Sequence, residues 1–244
     1  MSGRATGRAP ACGVVELVAC AALVGAVGGL LGVAFRLGAD WLQDRVLSGD
    51  GSILEAARAL PWWRRLLTPA LGGLLAGAVI HLAARRDSAF GIADLMEVVR
   101  FRRRPIHVGP TVARVGAALA TIVTGGSVGR EGPIIQLGAT VANLFGRWRR
   151  ADPRQLSVLL AGGAAAGFAS AYHAPLAAAV FVMEVMLANF ALEVFAAVAA
   201  AAVAGTLVTR AFVGTAPIYE LLGDAGAGAS VGGALALAAA ALPV

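Results

Sequence analysis

One stretch of this sequence gathers groups that could do chemistry in the middle of apolar chain: GGSVGREGPIIQLG, residues 125–138. Gly129 and Gly132 flank Arg130 and Glu131, and Pro133 follows directly. Pro133 suits the first turn of a helix, where its missing N–H would have had no partner. The glycines leave neighbouring N–H groups uncovered by side chains. A helix starting here would point the positive end of its dipole, and its free N–H groups, at whatever occupies the joint. That is an anion site built of backbone, with Gly129, Arg130, Glu131 and Gly132 as its residues. Glu131 then stands beside it as a tethered anion. Ionised, it can fill the site; protonated or displaced, it leaves the site to a free anion, so one side chain is both gate and proton acceptor. The plainer alternative is a loop outside the membrane, with Glu131 solvated at a helix start.

Other candidates were weighed beside it. GGSVG (125–129) fits the G-x-S-x-G pattern of hydrolase nucleophiles. Ser127 with His173 would be the pair of an intramembrane serine protease. That elbow needs a strand–turn–helix setting, which the flanking sequence does not predict. Glu184 is a second carboxylate in apolar sequence, read as a structural acid or as a step on a proton path. His81, His107, Cys12 and Cys20 have no metal-ligand spacing, so neither a metal nor a cofactor is expected.

The elements that must position Glu131 are apolar. Of 244 residues 59% are hydrophobic and 14% charged, with a mean hydropathy of +0.79. A soluble domain carries about a quarter charged residues, so the chain reads as an integral membrane protein. Apolar runs cover 14–35, 66–84, 112–123, 156–171, 176–188 and 192–208. The first and last approach the roughly 20 residues a span requires; several middle runs are too short to cross alone. Residues 1–12 form a short basic tail, residues 36–61 a polar connector, and Trp62-Trp63 with Arg64-Arg65 an interfacial anchor. LAGGAAAGFASA (160–171) is built of residues small enough for close helix packing.

The net charge is +6, and all 20 basic residues are arginine. They cluster between the apolar runs, as RFRRRP (100–105) and RWRR (147–150), and not in a stripe, which excludes nucleic acid as a partner. Such loops face the cytoplasm. If both clusters do, the two short segments between them form a hairpin with GGSVGREGP at its inner tip, within the membrane. Broken backbone at that depth is tolerated only where protein buries it or it lines a polar cavity. Discontinuous helices of this kind build transporter sites.

GREGP preceded by GGSV and followed by IIQLGA resembles the motif of the CLC family of chloride channels and proton/chloride antiporters. GAAAGFASAYHAPLAAAVFVMEV (163–185) is similar to the segment that follows it there. The match runs in order from about Gly91 to Val185. The resemblance implies an all-α, polytopic membrane fold with short, tilted and discontinuous helices, of which this chain is one half of an inverted repeat. It implies chloride or another small anion as cargo, contact with membrane lipid, a homodimer in the bacterial inner membrane, and Glu131 as the external gate. It also implies an inner half-helix end at Phe90, Gly91 and Ile92. Here AFGIAD departs from the family's GSGIP, with Phe90 in place of the serine and Ala93 in place of the proline. Val185 follows Glu184 where antiporters often carry a second glutamate. The family's second half is missing, so the membrane domain (13–244) is expected to be incomplete at its C-terminus. The alternatives are a non-conducting fragment or a half-transporter completed by a second chain.

Overall fold

A computed structural model describes residues 13–47, 61–84, 92–101, 106–188 and 190–214. The basic tail, the inner-site residues Phe90 and Gly91, and everything after Gly214 lie outside the described residues. Among those described, the elements are all helical. They are α1 (Val14–Leu47), α2 (Trp62–Ala84), α3 (Ile92–Phe101), α4 (Val108–Val123), α5 (Glu131–Trp148), α6 (Pro153–Tyr172), α7 (Pro175–Val182) and α8 (Leu192–Val213). A π-helical segment, Met183–Leu187, continues α7. Four helices, α1, α2, α6 and α8, are long and apolar enough to cross a membrane; α4 and α7 with its π extension are shorter.

Helix α6 is the hub, packed against α1, α3, α5, α7 and α8. Its start is set by Asp152, whose carboxylate accepts from the N–H groups of Arg154 and Gln155 at 2.7 and 2.8 Å. The Gln155 side chain accepts in return from the Asp152 N–H at 3.2 Å, closing a capping box with Pro153 at the first helical position. From Ser157 to Ser170 nearly every residue is buried. No large side chain intervenes: a Cβ on Gly163 would run into the carbonyl of Gly138 on α5 and come within 2.9 Å of Ala142 Cβ. The small-residue stretch is therefore a helix interface, with van der Waals contact between backbones as its cohesion.

Polar groups inside the bundle are tied to backbone. Asn143 Nδ2 donates to the Ile106 carbonyl at 3.0 Å, and Ser157 Oγ to that of Val99 at 2.8 Å. Thr111 and Thr140 hydroxyls meet at 3.2 Å across α4 and α5. The Asn143 and Thr111–Thr140 contacts hold α4 and α5 as an antiparallel hairpin with residues 124–130 at its tip.

Two boundaries differ from the sequence expectation. Residues 36–47 of the expected polar connector are helical, because α1 continues through Arg36, Asp40 and Asp44 to Leu47. Charged residues do not break a helix; beyond the hydrocarbon they only turn its surface polar. The helix whose first turn Pro133 was expected to enter runs from Glu131 to Trp148, with Pro133 at its third position. Cys20 is buried in the core, a packing residue.

Candidate functional site

The hairpin tip is built by glycine. Helix α4 closes on Thr124, whose hydroxyl hydrogen-bonds the Ala120 carbonyl at 2.9 Å. Gly125 and Gly126 then donate back to Ile122 and Thr121 at 3.0 and 2.8 Å. Gly125 has φ +89° and Gly129 φ +83°, conformations that side chains resist. Arg130 precedes α5 in αR geometry (φ −90°, ψ −15°), and no side chain caps the helix. The first-turn N–H groups of α5 thus have no side-chain acceptor at the cap position, and the helix dipole adds to their positive end.

The Glu131 carboxylate lies in this opening. One oxygen, Oε1, accepts a hydrogen bond from the Tyr172 hydroxyl at the end of α6. The other lies over Gly129, so closely that a Cβ there would collide with it. Tyr172 rests against Phe168, ring centroids 5.0 Å apart, and Phe168 stacks on Phe181 of α7 at 4.9 Å. Arg130 pairs with Asp40 of α1 at 3.1 Å, both partly exposed. That pair adds little stability, yet it marks the level of α1 at which the tip sits.

His173 and several arginines lie around this end. His173 follows Tyr172 in the left-handed region (φ 56°), and its Nε2 is buried without a hydrogen-bond partner. Burial lowers its affinity for a proton, and the guanidinium groups of Arg36 and Arg210 lower it further. On the other side of α5 a cavity of about 470 Å³ is lined by Arg114, Thr121, Gly132, Pro133, Gln136 and Ile80. The Nε of Arg114 is buried there with no hydrogen-bond partner.

The remaining candidates fall elsewhere. Ser127 is exposed on irregular chain between two helices, not on a strand-to-helix turn. Glu184 is exposed on the π segment, at the far end of α7 from Tyr172, and the structure does not bring it to Glu131. Phe90 and Gly91 are outside the described residues; Ile92 opens α3. Among the described residues no group of three His, Cys, Asp or Glu could hold a metal.

Comparison with known proteins places the chain in a family. The family model described as voltage gated chloride channel matches residues 72–242. The chain belongs to the voltage-gated chloride channel (CLC) family. A protein of Ralstonia nicotianae named putative chloride channel protein ClcB-like is 36% identical over 209 residues, 84% of this chain and 49% of that protein. The voltage-gated ClC-type chloride channel ClcB of Salmonella typhi is 39% identical over 173 residues, 69% of this chain and 41% of its own length. The chain thus spans about half the length of the curated relatives it matches. The crystal structure of a slow cyanobacterial Cl-/H+ antiporter superposes with a TM-score of 0.68 at 22% identity, covering 84% of this chain and 48% of that one. The CLC fold is therefore shared, and the chain is an integral, multi-pass protein; its bacterial relatives place it in the inner membrane.

Two residues beside the candidate site escaped sequence reasoning. Arg114 is hidden in the apolar run 112–123, where averaging over neighbours conceals one charge. Tyr172 lies inside the quoted segment 163–185, but nothing local links it to a carboxylate 41 residues earlier. A lone arginine inside an apolar run was the available signal for the first; the second had none.

Proposed function

We propose that this chain forms one side of a transmembrane anion pathway, with Glu131 as its gate. The observation that carries the reading is the Glu131 carboxylate at the N-terminus of α5, where no side chain caps the helix, beside Gly129 at a positive φ that glycine adopts readily. Gly129, Arg130, Glu131 and Gly132 supply backbone N–H groups and a tethered charge. Arg114, Arg36 and Arg210 supply a field that favours anions over cations. Chloride is the cargo by family membership, and lipid and a second copy of the chain are the partners proposed with it. Gly91 and Ile92, with Phe90 in place of a hydroxyl donor, are proposed to frame the inner end of the path.

Gating follows from competition between anions. The ionised carboxylate fills the position that a free anion needs, and chloride enters when it swings out or takes up a proton. Glu184, at the far end of α7, is the candidate for passing that proton inward. The test is chloride efflux from proteoliposomes. Glu131→Gln removes the tethered charge at constant shape and is expected to raise efflux several-fold; equal efflux from both forms would end the gate reading.

The length relation to the curated relatives favours a second reading, in which this chain needs another to conduct. Efflux that is absent alone and appears on co-reconstitution with a chain carrying the rest of the family fold would establish it.

A further inference from the structure

We infer that Tyr172 is a positioning residue for the gate: its phenol latches the Glu131 carboxylate over the start of α5. The inference deepens the gate reading above and rests on it. A carboxylate at the end of a flexible side chain has several rotamers, and its occupancy of one position must be held by contacts. The helix N-terminus attracts it but does not orient it. The Tyr172 hydroxyl does, because it donates to Oε1 specifically while Oε2 turns toward Gly129.

The phenol is itself fixed. Tyr172 is the last residue of α6, and the next residue, His173, turns the chain through the left-handed region into α7. Its ring is packed on Phe168, which stacks in turn on Phe181. Three aromatic rings from two helices therefore hold one hydroxyl at the gate. Tyrosine suits this position because it combines a rigid apolar body with a polar tip. Phenylalanine would keep the stack and lose only the donor. A hydrogen bond to an ionised group is among the stronger ones, so its loss should be measurable.

The consequence is a competition effect. If the latch favours the carboxylate over free chloride, removing it lowers the chloride concentration needed for half-maximal flux and leaves the maximal rate nearly unchanged. Tyr172→Phe is expected to lower that concentration by about three- to tenfold, tenfold corresponding to about 1.4 kcal/mol. In a Glu131→Gln background the same substitution should change nothing, because the charged acceptor is gone. A purely structural role for the ring would move both backgrounds alike, and that result would overturn the latch.

The experiment measures chloride-dependent flux for wild type, Tyr172→Phe, Glu131→Gln and the double variant. A response to Glu131→Gln with none to Tyr172→Phe overturns the latch and leaves the gate standing. No response to Glu131→Gln overturns both. A second measurement needs no flux. The infrared carboxylate band that disappears in Glu131→Gln identifies the gate, and Tyr172→Phe is expected to displace that band. An unmoved band overturns the inference even if the chain alone carries no current.

Discussion

At the residue scale, the tip of the hairpin puts two demands on one glycine. Gly129 has φ +83°, and the space where its Cβ would be is taken by the Glu131 carboxylate. Alanine there would have to hold a left-handed conformation, at a cost of roughly 1–2 kcal/mol. It would also push the carboxylate off its place, which is easy because the carboxylate ends a flexible side chain. Gly129→Ala is therefore expected to lower thermal stability modestly and to alter chloride flux in the same direction as Glu131→Gln. Thermal unfolding and efflux in one preparation check both; a stability loss with unaltered flux would show that the carboxylate has a second seat. The glycine turn and the helix start at Glu131 were legible in sequence because both are local, packed into GREGP. The contact of Tyr172 with Glu131 was not, since it depends on how α6 ends against α5, a matter of tertiary packing.

At the element scale, the fold depends on how closely α5 and α6 approach. Gly163 and Gly138 face each other's carbonyls across that contact, so any added carbon meets backbone, which cannot rotate aside. Gly163→Val is expected to destabilise by more than the 1–3 kcal/mol typical of overpacking. It should shift the protein from a single size-exclusion peak to aggregate. Gly73→Ala on α2, with nothing within 4 Å of the added carbon, provides the contrast: a peak and melting temperature unchanged or slightly improved. Close packing was legible in the run of Gly, Ala and Ser at 160–171, because small residues in lipid have few other uses. The extension of α1 through residues 36–47 was not. Polar composition reads as connector, whereas helix continuation depends on backbone hydrogen bonds that polarity does not disturb.

At the scale of the whole molecule, two ion pairs mark the levels of α1 between which α5 runs. Glu16 at the start of α1 pairs with Arg149 after α5, and Asp40 near the other end of α1 pairs with Arg130 before α5. Those two levels of α1 are roughly 36 Å apart at about 1.5 Å per residue, a little more than the hydrocarbon thickness of roughly 30 Å. Arg147, Arg149, Arg150 and Arg154 lie at the Glu16 end, and such clusters are retained in the cytoplasm. The Glu131 tip is then expected at the outer face. Single-cysteine variants test this, with Cys12 replaced and Cys20 left buried in the core. A membrane-impermeant maleimide should label Ser127→Cys in intact spheroplasts and Arg154→Cys only after lysis, both positions being exposed. The reverse pattern would put the gate at the cytoplasmic face. The distinction matters for what controls it, because a carboxylate facing outward competes with external anions and takes its proton from the external side.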